Sequence, residues 1–375
     1  MLIKNLFGLN YEPLNLIRIS KTSLYANYKY LSSVNKNIKI APVLKSNAYG
    51  HGIGLIGREI DKLNPPFICV DSLYEAYELF KNNVLSNILI MGFVHPESLN
   101  TKKLPFSYAV YNKELAQSIN KFQPHAKIHI FVDTGMHREG VSLENLPGFL
   151  NFLIKNTNLE IEGLMSHFAM GENIKNLETK FQIKSFEKAR KILKDNEIIP
   201  KWIHIANSAG ILNSKNYKYT LGNVARVGKS IYGIDPRRLN TKLKPALTLT
   251  SKIAQIKGLK KGEKVGYDFT FTASKDIKTA IIPIGYYDGL DRRLSNKGFV
   301  KIKGKYCKII GKISMNITIV EIDKIKNVKV GDEVIIYSDN PHAKNSVQNT
   351  AKICGTIPYE ILVHIEKSTK RIIIK

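Results

Sequence analysis

The feature that most constrains the fold is a regular alternation, over the first two-thirds of the chain, of short apolar runs with amphipathic stretches. Eight runs are candidate strands: Ile38–Leu44, Phe67–Val70, Ile88–Met91, Ser107–Val110, Lys127–Val132, Ile161–Met165, Trp202–Ile205 and Val224 with its neighbours. The stretches between them have helical periodicity, as in Phe181, Phe186 and Leu193. Because strands that alternate with helices pair in parallel, eight such units predict an α/β fold with a (β/α)8 barrel of the TIM type.

A second region begins after about Leu243, where short β-branched runs replace the alternation. Ala280–Ile284, Thr318–Ile322 and Val334–Tyr337 are typical of these runs, and turn residues separate them. Helical periodicity is scarce here. We therefore expect two domains, a barrel domain over residues 1–242 and a β-rich C-terminal domain over residues 243–375.

Charge and composition exclude several classes of protein. Lys and Arg number 57 against 31 Asp and Glu, a formal net charge of +26, but the lysines are spread along the chain without a polybasic block. We therefore expect no nucleic-acid partner, although a basic nucleic-acid binder, whose affinity would fall steeply with salt, stays an alternative. The chain has no apolar run long enough to cross a membrane, and Met1–Phe7 lack a secretory signal. Three scattered cysteines favour a cytoplasmic protein without a metal site.

Polar residues follow several predicted strands, at the end where barrel enzymes carry their active sites. Lys45 is the most informative of them, because partial burial of an amine at a strand end favours the neutral form that Schiff-base chemistry needs. A lysine that reaches past the rim into water is the alternative. The last two loops carry Ser208 and Gly228, where such barrels often hold a phosphate. A Schiff-base lysine beside a phosphate site is what pyridoxal phosphate requires.

The segment Gly222–Ser230 imitates a nucleotide-binding P-loop. That motif has four residues between its glycines, whereas five separate Gly222 from Gly228. One extra residue would misplace the backbone amides that hold a phosphate chain. The sequence therefore argues against a nucleotide site.

At these residues the chain resembles the alanine racemase family, from about Ile17 to Ile372. Nine segments occur in the family's order: Val43–Gly52, Asp133–Arg138, Ser166–Ala169, His204–Ala209, Arg226–Gly228 with Tyr232–Gly233, Val265–Tyr267, Gly285–Gly289, Gly311–Met315 and Pro358–Glu360. The resemblance implies a cytoplasmic isomerase, a homodimer that interconverts L-alanine and D-alanine with pyridoxal 5'-phosphate and supplies D-alanine for peptidoglycan. It implies neither a membrane nor a nucleic-acid partner.

The resemblance also implies a set of cofactor-binding residues, all but Tyr359 in the barrel domain. Lys45 would carry the cofactor through a Schiff base, and these residues would surround it: Tyr49, His167, Asn207, Ser208, Arg226, Gly228, Lys229 and Tyr359. Arg226 would face the pyridine nitrogen and, since an arginine stays protonated, weaken the cofactor as an electron sink. The alternatives are half-buried core tyrosines for Tyr49 and Tyr359, a helix cap for Ser208 and a salt bridge for Arg226.

Racemisation removes a proton from one face of a planar group and returns one to the other face. By the resemblance, Lys45 serves the D-alanine face and Tyr267, from the partner subunit's β-rich domain, serves the L-alanine face. A tyrosine is mostly protonated at neutral pH, so a cationic neighbour, His167 or an arginine, has to favour the ionised form. Three further residues would bind or confine the substrate: Arg138, Met315 and Tyr286.

Three positions depart from the family pattern. Phe131 stands where many members carry a carbamylated lysine that pairs with the arginine matching Arg138, so Arg138 needs another partner. Asn316 replaces the usual aspartate after Met315, and Pro358 replaces the usual asparagine before Tyr359. Because phenylalanine cannot form a carbamate, we expect activity to be independent of added bicarbonate.

Other functions of the same fold remain as alternatives. One is a broad-specificity amino-acid racemase, which Tyr286 does not exclude. Another is a barrel-type decarboxylase, which would call for an acidic partner of the pyridine nitrogen where Arg226 stands. A third is a pyridoxal-phosphate-binding protein without turnover, against which the β-rich domain argues.

Overall fold

The computed structural model describes residues 12–217, 221–235 and 242–375, and it divides into two compact units. Of the described residues, the barrel unit contains those within Ser23–Tyr49 and Ile53–Leu243. The β unit contains residues 12–22, Gly50–Gly52 and Lys244–Lys375. Compactness thus groups residues 12–22 with the C-terminal region, while the domain division after residue 242 stays a prediction. Met1–Phe7, for which we expect no secretory signal, lie outside the described residues.

Strands and helices alternate through the first part of the described chain. The elements are β1 (Leu16–Ser20), α1 (Lys21–Val34), β2 (Lys39–Pro42), α2 (Ile53–Asp61), β3 (Ile68–Val70), α3 (Leu73–Lys81), β4 (Ile88–Ile90), β5 (Phe106–Val110), α4 (Lys113–Phe122), β6 (Lys127–Phe131), α5 (Leu146–Asn156), β7 (Glu160–Met165), α6 (Leu177–Asp195), β8 (Trp202–His204), α7 (Ser208–Asn213) and β9 (Val224–Val227). All eight predicted strands are confirmed as β2 to β9.

These eight strands form a parallel barrel. Strands β3 to β8 make one six-stranded sheet, and β2 pairs in parallel with β9. A bridge between Val43 and Cys69 joins β2 to β3, and the Arg226 amide donates to the Ala206 carbonyl at 2.9 Å beside β8 and β9. The predicted fold class is therefore confirmed.

Side chains from every strand of the barrel meet in its interior. The buried cluster contains Ala41, Val43, Phe67, Cys69, Leu89, Ala109, Phe131, Met165, Trp202 and Val224. Since alternate residues of a strand face the same side, His129, His204 and Arg226 also point inward, two residues from Phe131, Trp202 and Val224. The interior thus holds a polar layer among apolar ones.

The β unit is built mainly from antiparallel strands. Its further elements are β10 (Leu247–Lys252), β11 (Gln255–Leu259), β12 (Lys264–Val265), β13 (Phe271–Thr272), β14 (Ile277–Ile282), β15 (Phe299–Ile302), β16 (Lys305–Lys308), β17 (Thr318–Glu321), β18 (Glu333–Tyr337), α8 (Val347–Cys354), α9 (Pro358–Val363) and β19 (Lys370–Ile374). A six-stranded sheet has the order β16-β15-β18-β10-β1-β19, so β1 lies between two C-terminal strands. Among the described residues, no helix has both the length and the apolar character needed to cross a bilayer.

Candidate active site

Lys45 lies just past the carboxyl end of β2, where the sequence predicts it. The Leu44 amide donates to the Cys69 carbonyl at 2.8 Å, which fixes the chain against β3. Lys45 Nζ lies 3.0 Å from Asp71 Oδ1, and 39% of the lysine side chain is exposed. The expected loss of water around this amine is therefore only partial, and a carboxylate neutralises its charge. Asp71 is a site residue that the sequence interpretation missed.

Four consecutive residues after Lys45 form a left-handed turn. Ser46, Asn47, Ala48 and Tyr49 have φ angles of 55°, 54°, 53° and 52°. This region disfavours residues with a Cβ by roughly 1–2 kcal/mol each, so tertiary contacts must hold the turn. Such contacts are present: Glu75 Oε1 accepts from the Ser46 amide at 2.5 Å, and Asn47 Oδ1 accepts from the amide of α2's first residue at 2.9 Å.

Glu75 belongs to the predicted start of α3. Ser72 caps this helix as predicted, because its Oγ accepts from the Glu75 amide at 3.2 Å. The Glu75 carboxylate does not return to Ser72, as it would in a capping box. Its Oε2 accepts from the Asp71 amide at 3.0 Å while Oε1 reaches Ser46. One carboxylate therefore ties the segment after Lys45 to the segment that carries Asp71.

Tyr49 and Gly228 are in close contact at the ends of β2 and β9. A Cβ at Gly228 would lie 2.3 Å from the Tyr49 hydroxyl oxygen, so only glycine permits this approach. Burial raises the pKa of Tyr49 to about 12, which keeps its hydroxyl protonated as a donor at neutral pH. Its ring centroid lies 5.3 Å from that of Tyr232. The hydroxyl of Tyr232 donates in turn to the Val43 carbonyl at 3.2 Å, which anchors the pair to β2.

Arg226 is the buried cation of the site, with 3% of its surface exposed. One guanidinium nitrogen donates to His204 Nδ1 and, at 2.9 Å, to the His204 carbonyl. The other donates to the Ser166 carbonyl and lies 3.0 Å from His167 Nδ1. Burial lowers the pKa of Arg226 to about 10, so it stays charged at neutral pH. Burial and this neighbouring charge lower the pKa of His167 well below its usual range. Because His167 is neutral, it does not supply the positive charge proposed to favour the ionised form of Tyr267. Of the two predicted candidates, His167 and an arginine, the arginine remains.

A chain of hydrogen bonds continues from Arg226 across the barrel interior. Because Arg226 donates to His204 Nδ1, the proton of the neutral ring lies on Nε2, which is 2.8 Å from His129 Nδ1. His129 Nε2 lies 3.5 Å from Glu162 Oε2. A Cβ at Gly163 would lie 2.3 Å from His129, so this glycine makes room for the ring. The sequence interpretation assigned no role to His129, His204 or Glu162, although inward-facing histidines on buried strands were a usable signal.

Arg138 lies in a loop that Asp133 organises. Asp133 Oδ1 accepts from the amides of Gly135, Met136 and His137 at 2.9, 3.0 and 3.1 Å. Arg138 Nε lies 2.5 Å from Glu139 Oε2. Phe131 packs into the barrel interior instead of supplying a charge. The carboxylate that pairs with Arg138 in this structure is that of Glu139.

The remaining barrel residues of the predicted site lie past β8 and β9. Asn207 caps α7, since its Oδ1 accepts from the amides of Ala209 and Gly210 at 3.0 Å each. Ser208 is buried at the first position of this helix. Lys229 Nζ lies 3.1 Å from Glu172 Oε1. The structure thus brings Lys229 to the same barrel end as Gly228, and it gives Asn207 a structural bond besides its predicted role.

Tyr267, Tyr286 and Met315 lie in the β unit and are exposed by 66%, 43% and 54%. A Cβ at Gly285 would lie 2.1 Å from the Ser314 carbonyl, and across this close approach the Tyr286 amide donates to that carbonyl at 3.1 Å. The loops of Tyr286 and Met315 are therefore held side by side. Asn316 Nδ2 donates to Asp288 Oδ2 at 3.3 Å between these loops.

Tyr359 lies in α9, which begins at Pro358. Proline suits the first helical position because its missing amide hydrogen has no partner there. The substituted proline therefore starts the helix that carries Tyr359. This helix and Tyr286 line one cavity of about 410 Å³ within the β unit, together with Arg292, Arg293 and His364.

An amine and a buried arginine lie at the barrel end where enzymes of the parallel-barrel class carry their active sites, and this placement indicates a barrel enzyme. The family model "Alanine racemase, N-terminal domain" matches residues 19–236, and "Alanine racemase, C-terminal domain" matches residues 246–373. An alanine racemase of Borreliella burgdorferi (strain ZS7) is 34% identical over 95% of this chain and 96% of its own. One of Syntrophobacter fumaroxidans is 32% identical over 88% and 89%.

Two solved structures have the same fold. Alanine racemase of Clostridium difficile 630 has a TM-score of 0.90 at 28% identity and covers 97% of both chains. That of Bacillus anthracis has a TM-score of 0.89 at 28% identity and covers 98% of this chain and 96% of its own. The chain belongs to the alanine racemase family and is an isomerase.

The family depends on pyridoxal phosphate, and the barrel residues fit this group. The Tyr49 hydroxyl and the Lys229 ammonium are donors suited to a phosphate beside a backbone where only glycine fits. The Lys45 amine suits an aldehyde, and the charged Arg226 can donate to a ring nitrogen. The donor set thus matches an anionic aldehyde with an unprotonated ring nitrogen.

Proposed function

We propose that this protein interconverts L-alanine and D-alanine with pyridoxal 5'-phosphate. The observation that supports it most directly is the pairing of β2 with β9, which places Ala41 opposite Arg226 and leads to Lys45 a few residues on. An amine that can form a Schiff base therefore lies at the same barrel end as a protonated arginine. Bound pyridoxal phosphate would supply an electron-withdrawing group conjugated to Cα of the amino acid, which makes the Cα–H bond acidic.

The residues of the barrel unit divide the work of binding. Lys45 would hold the cofactor covalently, while Tyr49, Ser208, Lys229 and the backbone at Gly228 would hold its phosphate. Arg226 would face the ring nitrogen and Arg138 the substrate carboxylate. Because Arg226 stays charged, it would leave the ring nitrogen unprotonated, and the bound cofactor would then withdraw electrons from Cα only weakly. This limits side reactions of the amino group. His167 and Asn207, with Tyr359 of the β unit, complete the proposed cofactor set.

Inversion requires proton donors on both faces of Cα. Lys45 Nζ would exchange the proton on the D-alanine face and the Tyr267 hydroxyl on the L-alanine face. We propose that Tyr267 is supplied by the partner subunit of a homodimer, together with Met315, whose amide would bind the substrate carboxylate, and Tyr286, which would narrow the entrance. The exposure of these three side chains supports this assignment. A cytoplasmic location and a role in peptidoglycan supply remain predictions.

The test combines spectroscopy with a substrate panel. The purified protein should have a visible absorption band that borohydride removes, and Lys45→Ala should lack it and lose activity. L-alanine should be racemised faster than serine or lysine, since Tyr286 narrows the entrance. Comparable rates for all three would favour a broad-specificity racemase, and a bound cofactor without turnover of L-alanine would contradict the proposal.

A further inference from the structure

Asp71 has a carboxylate directly against Lys45, and the proposed function gives it no role. The two side chains are 39% and 55% exposed, with Nζ and Oδ1 3.0 Å apart. An ion pair this exposed adds little to folding stability. Its importance therefore lies in its position, because Asp71 follows β3 and Lys45 follows the neighbouring strand β2.

The backbone of Asp71 is fixed from two directions. Its amide donates to Glu75 Oε2 at 3.0 Å, and its carbonyl accepts from the Gly92 amide at 2.9 Å. A Cβ at Gly92 would lie 2.4 Å from the Asp71 carbonyl oxygen, so the contact requires glycine. Glu75 also accepts from the amide of Ser46, the residue after Lys45, at 2.5 Å. The same carboxylate therefore holds the backbones of both partners.

We propose that Asp71 is a positioning residue for Lys45 during proton transfer, an inference that rests on the proposed function. In the step assigned to Lys45, the Cα–H bond of D-alanine breaks and an N–H bond forms on Nζ. The electron pair stays with Cα and the group conjugated to it, and the amine becomes an ammonium ion. Asp71 balances that charge and keeps Nζ on the D-alanine face. In the opposite direction the same ammonium ion returns the proton to Cα.

This role affects only one of the two proton transfers. Removing the carboxylate slows the transfer at Lys45 and leaves the transfer at Tyr267 unchanged. A change that merely loosened the site would slow both. The two faces of Cα therefore provide an internal comparison within one enzyme.

The first measurement uses Asp71→Asn with alanine deuterated at Cα. We expect kcat/KM to fall about tenfold, the size of an ion-pair energy in a partly solvated site. The primary isotope effect on kcat/KM should rise for D-alanine and fall for L-alanine, because only the Lys45 step has become slower. In D2O, L-alanine should take up deuterium at Cα faster than it is converted to D-alanine. Equal changes for both enantiomers, or none, would overturn the proposal.

The second measurement needs no catalysis. In cofactor-free protein, acetic anhydride should label Lys45 several-fold faster in Asp71→Asn than in the unaltered chain, because the Asp71 carboxylate, 3.0 Å from Nζ, binds the amine and holds it back from the reagent. Peptide mass spectrometry reads the site directly. Unchanged labelling of Lys45 would contradict the role, even if activity fell.

Two variants serve as controls. Asp276→Asn removes another exposed carboxylate, whose Oδ2 lies 2.8 Å from Lys260 Nζ, and should change neither isotope effect nor Lys45 labelling. Asp71→Glu keeps the charge and should have part of the rate that Asp71→Asn loses. If Asp71→Asn does not fold, the same measurements are made on Asp71→Ser. Absence of racemisation by the unaltered chain would contradict the proposed function, whereas the labelling result would still test the ion pair.

Discussion

The proposed site residues of the barrel unit and those of the β unit differ in how many contacts they make within one chain. In the barrel unit Lys45, Arg138 and Lys229 each pair with a carboxylate of the same unit, and Arg226 is 3% exposed. In the β unit Tyr267 is 66% exposed and Phe269 65%. Large apolar side chains exposed together mark interaction surfaces. The difference supports the proposal that the β-unit residues act at a site completed by a partner subunit, whereas the barrel residues are paired within their own unit.

The largest expected effect is on the exposed half. Tyr267→Phe removes the hydroxyl and keeps the ring, so we expect kcat/KM for L-alanine to fall by about 10²- to 10⁴-fold, the usual contribution of a general base. Cofactor binding should be unchanged, because Tyr267 is not among the residues proposed to hold the cofactor. Racemase assays and absorption spectra check both. The neighbouring Phe269→Leu serves as control, and an active Tyr267→Phe variant would contradict the two-base account.

The buried histidines of the barrel unit should make its stability depend on pH. Burial lowers the pKa of His129, His167 and His204, so below about pH 6.5 the unfolded chain takes up protons that the folded barrel does not. The free energy of unfolding should therefore fall with pH below this value, by up to about 1.4 kcal/mol per pH unit for each histidine. Urea titrations between pH 7.5 and 5.5 measure the slope.

His129→Gln removes one of these titrating groups while keeping a polar side chain in the polar layer. Its slope should be smaller than that of the unaltered protein. Identical slopes would show that His129 is protonated in the folded barrel.

A smaller effect is expected between the two β-unit loops. Asn316→Asp would place a carboxylate about where Nδ2 now donates to Asp288, and the two charges would repel. We expect a few-fold increase in the KM for alanine, because Tyr286 and Met315 depend on these loops. Asn316→Ser should have a smaller effect. Equal KM values for the Asp and Ser variants would show that charge repulsion with Asp288 does not affect substrate binding.

No effect is expected from bicarbonate. Phe131 lies in the barrel interior and Arg138 pairs with Glu139, so no carbamate is needed to neutralise the arginine. Racemase rates with and without added bicarbonate should agree. A clear dependence would mean that another lysine forms a carbamate near Arg138.

Local patterns allowed the sequence to predict the barrel. Strand periodicity located β2 to β9, and the spacing of Ser72 and Glu75 located the start of α3, because both depend on neighbouring residues. The left-handed turn could not be predicted in this way. Apart from Asn47, the residues from Ser46 to Tyr49 do not favour positive φ, and the carboxylate that holds the turn comes from Glu75, 29 residues away from Ser46.

Long-range partners account for the other omissions. His129 and His204 are 75 residues apart, and no local pattern connects them. Strand β1 was likewise not predicted to join the C-terminal sheet, because its pairing of Leu16 with Thr250 spans most of the chain. Asp71 follows a predicted strand, but only the pairing of neighbouring strand ends brings it to Lys45.

Mixing two inactive variants tests the shared site most directly. Lys45→Ala and Tyr267→Phe chains, unfolded together in equal amounts and refolded, should form mixed dimers in half of the cases, each with one intact site. The account predicts recovery of about a quarter of the unaltered activity, while either variant refolded alone stays inactive. The activity of unaltered protein, unfolded and refolded in the same way, is the reference for this recovery. No recovery, with mixed dimers confirmed by mass spectrometry, would contradict a site built from two copies of the chain.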